Sequence, residues 1–142
     1  KIYFDTISCV APIGIFFGRI ANFINGELYG IPTEKSWGVV FPKIDSSLRH
    51  PSQIYEAILE GIVLFFILNF LLGKKFLNHG VISLIFLILY GLFRIISEQF
   101  REPDKHIGYI FSNLSIGSGL SAIMIFLGIL FLSKLILNEK NK

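Results

Sequence analysis

Three segments of this chain place arginine, carboxylate, amide and tyrosine side chains at spacings that could hold an oxyanion. In GRIANFINGELYG, residues 18–30, Arg19, Asn22, Asn25 and Glu27 directly follow an apolar block. In HPSQIYEAILEG, residues 50–61, Gln53, Glu56 and Glu60 stand at i, i+3, i+7, which is one face of a helix. In YGLFRIISEQFREPD, residues 90–104, Tyr90, Arg94, Glu98 and Arg101 stand at i, i+4, i+8, i+11, again one face. Guanidinium is planar, always charged and binds oxyanions through a two-pronged fork. Arg19 and Arg94 together therefore predict a phosphate site, and in a membrane the nearest abundant phosphate is a phospholipid headgroup. Each charge also has a plainer reading. Arg94 and Glu98 could be a helix ion pair, and Glu56 or Glu60 could neutralise Arg19 across a bundle. Three segments bringing such groups to one side favour a shared polar cavity.

The elements that must position these residues are apolar. Blocks run over 4–18, continuing through 24 with Arg19 inside, then over 54–72, 80–96 and 114–137. A bilayer crossing needs about 20 apolar residues, and a lipid-exposed backbone must satisfy its own hydrogen bonds. The predicted fold class is therefore all-α, a multi-pass transmembrane helical bundle of about four spans in one integral membrane domain, residues 1–142. A charge at mid-membrane depth costs about 2.5–3.5 kcal/mol on insertion scales, so the polar residues at the block ends must face each other or a ligand. The connections are a long polar one over 21–53, a short one over 73–79 with Lys74 and Lys75, and a charge-dense one over 97–113. Gly14 and Gly18 predict close helix packing, Gly26 and Gly30 tight turns, and Pro51 the first turn of the second span. His50, His79 and His106 are expected in loops, as orienting or exposed residues.

Composition agrees. Of 142 residues, 53% are hydrophobic and 16% charged, and the mean hydropathy is +0.66, against about 25% charged in soluble domains. This excludes a disordered tail, a disulfide scaffold and a collagen-like fibre. The net charge of +3 does not indicate nucleic acid, because no basic run is interleaved with aromatics. It fits contact with anionic membrane lipid. The lone Cys9 lies in an apolar stretch and is expected to be a packing residue. Both termini share a side with Lys74 and Lys75. Lys1, Lys134, Lys140 and Lys142 lie there as well, opposed by Glu139 and Asp5. The other side carries seven basic residues interleaved with carboxylates, so the raw count does not decide, and it is the unpaired lysines that favour the side of the termini as cytoplasmic.

The three segments together resemble the prolipoprotein diacylglyceryl transferases. The signature pattern G-R-x-x-N-F-x-N-x-E-x-x-G is matched by Gly18, Arg19, Asn22, Phe23, Asn25, Glu27 and Gly30, and the other two segments resemble later family motifs in the right order. The resemblance covers essentially the whole chain and the C-terminal half of the family's usual length. It implies a bacterial inner-membrane enzyme with its site on the outer face. That enzyme transfers diacylglyceryl from phosphatidylglycerol to the lipobox cysteine of a prolipoprotein and releases glycerol 1-phosphate, with no cofactor and no metal. It implies Arg19, Arg94, Tyr90 and Glu98 as catalytic residues. It implies Arg19, Asn22, Asn25, Glu27, Gly30, His50, Gln53, Glu56 and Arg101 as substrate-binding residues. The family's candidate base, a histidine in an HGG-type motif, is then expected upstream. The family's usual Gly-Gln pair near the last span is Gly117-Ser118 here. The alternatives are a non-catalytic phospholipid-binding fragment and a transporter using the same cavity, though no internal repeat supports the latter.

Overall fold

A computed structural model describes residues 2–72, 74, 78–103, 109–111 and 114–140. Lys1, Lys75, Lys105, His106 and Lys142 lie outside the described residues. Helix α1 covers Ile2–Asn25, α2 covers Ser52–Leu72, α3 covers Val81–Glu98 and α4 covers Ile116–Lys140. All four are long and apolar enough to cross a membrane. Their exposed faces carry large apolar side chains such as Phe4, Phe17, Phe66 and Phe126, the surface a helix presents to lipid rather than water. The all-α, four-span reading stands, with only short strand pairs between helices.

The boundaries differ in three places. Helix α1 ends at Asn25, one residue past the expected end of the first apolar block, so the long connection expected from 21 starts only after Asn25. Helix α3 ends at Glu98. Arg101 therefore leaves the face it was expected to share with Tyr90, Arg94 and Glu98, and its backbone instead bridges to Gly30. Pro51 sits just before α2, as the residue that starts the helix rather than inside its first turn.

Packing between helices depends on side chains that are missing. At Gly61 a Cβ would lie 2.7 Å from Phe16 Cβ, at Gly91 2.7 Å from Ile125 Cγ1, and at Gly128 2.7 Å from Ile88 Cγ1. These glycines let α1 approach α2 and let α4 approach α3. Gly14 and Gly18, expected to pack, have nothing described within 4 Å. The buried centre is Cys9, Leu64, Leu68 and Ile82, so Cys9 packs as expected, its thiol on the Leu68 carbonyl at 3.7 Å.

One helix is capped from another. The buried Asp5 carboxylate of α1 accepts hydrogen bonds from Gly80 N at 2.6 Å, Ser83 N at 2.9 Å and Ser83 Oγ at 2.6 Å. It thereby satisfies amide groups that every helix start leaves open. Gly80, with φ of +100°, supplies the left-handed turn into α3.

The connection after α1 folds back onto the bundle. Strand β1, Val39–Val40, pairs antiparallel with β2, Leu48–Arg49. Beyond α3, β3 (Tyr109–Phe111) pairs with β4 (Leu114–Ser115). Gly30 lies between two backbones. Its amide donates to the His50 carbonyl at 3.1 Å, and the next amide, Ile31, donates to Phe100 at 3.0 Å. A Cβ at Gly30 would overlap the His50 carbonyl and lie 2.6 Å from the Phe100 carbonyl. Gly30 therefore serves close approach, not the tight turn expected of it. Gly26, with φ of +71°, does make the turn. Gly30→Ala is expected to force these segments apart and lower stability by about 1–3 kcal/mol, read as a fall in the thermal midpoint. A change below about 0.5 kcal/mol would contradict this packing.

Arg49 locks the same region. It pairs with Asp45 at 2.6 Å and with Glu102, donates to the Gly30 carbonyl at 3.0 Å and lies 5.0 Å over the Tyr29 ring. Hydrogen bonding from Arg49 holds the Asp45 carboxyl below the usual aspartate value of 3.8. A depressed carboxyl stabilises the fold above its ordinary value and ceases to do so as pH falls through the depressed one. The single tryptophan, Trp37, lies in this connection and reports on it. Its emission should hold steady down to about pH 4 and change only below, and Asp45→Asn should remove that step.

Candidate functional site

The site is built where α1, α2 and α3 meet, at one end of the bundle. Its centre is a pair of carboxylates, Glu56 and Glu60, both wholly buried. Arg19 from α1 reaches both, with Nη1 3.2 Å from Glu56 Oε2 and Nη2 3.0 Å from Glu60 Oε2. Arg94 from α3 pairs with Glu56 through Nη1, lies 3.7 Å from Glu60 Oε1, and pairs with Glu98 through Nη2 at 2.6 Å. Ser97 Oγ completes the cluster 3.3 Å from Glu60 Oε1. Two guanidinium groups thus face three carboxylates, a net charge of −1 (+2 − 3). Buried charges persist only when paired in this way.

The local backbone makes the convergence possible. Helix α2 runs as an α-helix over Ser52–Glu56, widens to a π-helix over Ala57–Val63 and returns to α over Leu64–Leu72. A π segment is rare and concentrates at functional sites. Here it starts directly after Glu56 and contains Glu60. Within it, Gly61 admits Phe16, which brings α1 close enough for Arg19 to reach both carboxylates.

Both plain readings of the charges hold. Arg94 and Glu98 form the i, i+4 pair, and Arg19 is neutralised across the bundle by Glu56 and Glu60 together. Neither excludes a site, because the same groups line a polar interior. Tyr90, stacked on Phe86, lies beside Arg19. Gln53 is fully buried, and its Nε2 donates to the Glu27 carbonyl at 2.6 Å while its Oε1 has no partner among the described residues. Glu98 rests against the start of α4, where a Cβ at Gly117 would lie 3.1 Å from Glu98 Oε1.

The remaining predicted residues surround this centre. Asn22 is half-buried, and its carbonyl accepts from Glu27 N at 2.9 Å. Asn25 and Glu27 are exposed at the end of α1. His50 Nδ1 lies 3.0 Å from the Tyr55 hydroxyl, which accepts from Trp37 Nε1 at 2.9 Å. His50, Tyr55, Trp37 and Phe100 line an apolar groove of about 430 Å³ that extends to Ser97. Arg101 lines a smaller polar cavity of about 260 Å³ with Glu98, Ser115 and Ser118. Ser97 was not predicted, and Glu60 was expected on the polar face but given no catalytic or binding role. Glu60 was legible by its spacing from Glu56, but Ser97 had no signal beyond its place between Arg94 and Glu98.

Residues 2–134 match the family described as prolipoprotein diacylglyceryl transferase. A phosphatidylglycerol–prolipoprotein diacylglyceryl transferase of Rickettsia bellii (strain OSU 85-389) is 55% identical over 132 residues, 92% of this chain and 50% of that protein. One from Wolbachia pipientis subsp. Culex pipiens is 52% identical over 129 residues, 89% of this chain and 49% of that protein. The chain spans about half the length of the curated relatives it matches.

Proposed function

The chain belongs to the prolipoprotein diacylglyceryl transferase family, and on that premise we propose that it supplies the phosphate-binding part of a diacylglyceryl transferase. The lipid substrate is phosphatidylglycerol, and the acceptor is the lipobox cysteine of a prolipoprotein. The enzyme works in the bacterial inner membrane with this site toward the outer face. The observation that carries the reading is the convergence of Arg19 and Arg94, from different helices, on Glu56 and Glu60 at one end of the spans.

In the reaction the cysteine thiol passes its proton to a base, the role the family resemblance gives to a histidine of an HGG-type motif, and the thiolate sulfur attacks the glycerol carbon of the diacylglyceryl group. A C–S bond forms, the C–O bond to phosphate breaks, and glycerol 1-phosphate leaves. Negative charge grows on the phosphate, and directed guanidinium N–H groups stabilise it. The cluster's net charge does not attract an anion, so recognition rests on directed donors. A phosphate at Arg19 competes with Glu56 and Glu60. Those carboxylates keep a partner when Arg19 turns to the lipid, because Arg94 holds both as well. Glu98 fixes Arg94 from one turn away.

The test joins this chain to the N-terminal half of the Rickettsia bellii relative and incubates the product with phosphatidylglycerol and a lipobox peptide. Glycerol phosphate release and the mass gain of the peptide are the expected results. A well-folded product with neither would sink the assignment.

A further inference from the structure

The end of the bundle opposite the Arg19–Arg94 cluster holds a separate cavity, of about 390 Å³, between the starts of α1 and α3 and the last turns of α4. Phe4, Leu84 and Phe131 form apolar walls, and Lys134, Asn138 and His79 stand at its edge. Lys134 and Asn138 are four residues apart on α4, so they share a face. Lys134 lies one turn inside the end of the apolar span at Asn138, the depth at which a lysine stem lies along apolar surface while its ammonium reaches the headgroups. At this end the Asp5 carboxylate accepts from Gly80 and Ser83. Lys134 has no carboxylate partner among the described residues. Lys74, over the Phe70 ring at 4.3 Å, adds a second cation at this end.

We propose that this cavity is a binding site for one anionic phospholipid of the leaflet opposite the catalytic end. Its phosphate lies on Lys134, with Asn138 and His79 as further polar partners. The upper part of one acyl chain runs between Phe4, Leu84 and Phe131. A phosphate gains from the lysine charge, and hydrocarbon gains from the apolar walls. A free anion would use only the first of these and a neutral lipid only the second. The site does not depend on the transferase reading, because none of its residues belongs to the Arg19–Arg94 cluster.

The experiment uses the chain in detergent micelles with phosphatidic acid carrying a diazirine at the top of one acyl chain. Cross-linked peptides are mapped by mass spectrometry, so lipid held near Arg19 is read separately. Labelling is expected on the last turns of α4 and around Phe4. A phosphatidylcholine probe with the same diazirine should label these about fivefold less. Lys134→Gln should lower the phosphatidic acid labelling to that level, and Lys134→Arg should keep it. Leu84→Trp, which fills the cavity and leaves the charge, should also remove it. Equal labelling by the two probes, unchanged labelling in Lys134→Gln, or displacement by inorganic phosphate would each overturn the proposal.

Discussion

Arg94→Ala is expected to lower stability by about 3–5 kcal/mol, the cost of removing one partner from a buried ion pair. Arg94 is the group common to all three carboxylates of the cluster, Glu56, Glu60 and Glu98. Without it one guanidinium faces three carboxylates, and the net charge moves from −1 to −2 (+1 − 3). Glu98 loses its only ion-pair partner among the described residues. Arg94→Lys keeps the charge but loses the fork, so an intermediate loss is expected. Adding Glu98→Gln to Arg94→Ala removes the stranded charge and should recover part of the loss. Denaturation of the detergent-solubilised protein, followed by circular dichroism, measures all three. A loss below about 1 kcal/mol for Arg94→Ala, or no recovery in the double variant, would show that the cluster does not hold the helices together.

The four spans were legible because a crossing is written as about 20 apolar residues with charges at its ends. The shared face of Gln53, Glu56 and Glu60 was legible from helical spacing, and all three are buried. The first span was legible to within a residue of its end at Asn25, but the polar connection was started too early, at 21, because Asn22 and Asn25 look like loop residues. Arg19 is neutralised by Glu56 and Glu60, so the helix need not stop there and carries Asn22 and Asn25. Arg101 was misread in the opposite direction. Its spacing continues the face of α3, but the chain leaves the helix at Glu98 to pair with Gly30. The π segment has no local signature in AILEGIV, and the contacts within it, Phe16 at Gly61 and the two arginines at Glu60, come from far along the chain. The Arg49 clasp joins residues 53 positions apart, and no periodicity connects such a pair.

Arg19→Ala separates binding chemistry from architecture. In the joined protein it is expected to reduce turnover about 100- to 1000-fold, the usual effect of losing one donor to a developing anion. The effect on stability should be smaller than that of Arg94→Ala, although the cluster reaches the same net charge of −2. After Arg19 is removed, Glu56, Glu60 and Glu98 each still face Arg94. The incoming phosphate then meets two unbalanced negative charges and has lost the guanidinium that could turn toward it. Arg19→Lys restores a point charge without the fork and should recover only part of the rate. The two arginines therefore predict different profiles, activity loss with a surviving bundle at Arg19 and loss of both at Arg94. Turnover within tenfold of the parent in Arg19→Ala, with phosphatidylglycerol and a lipobox peptide, would remove Arg19 from the site. A stability loss as large as that of Arg94→Ala would mean that its contacts with Glu56 and Glu60 serve the fold before the phosphate.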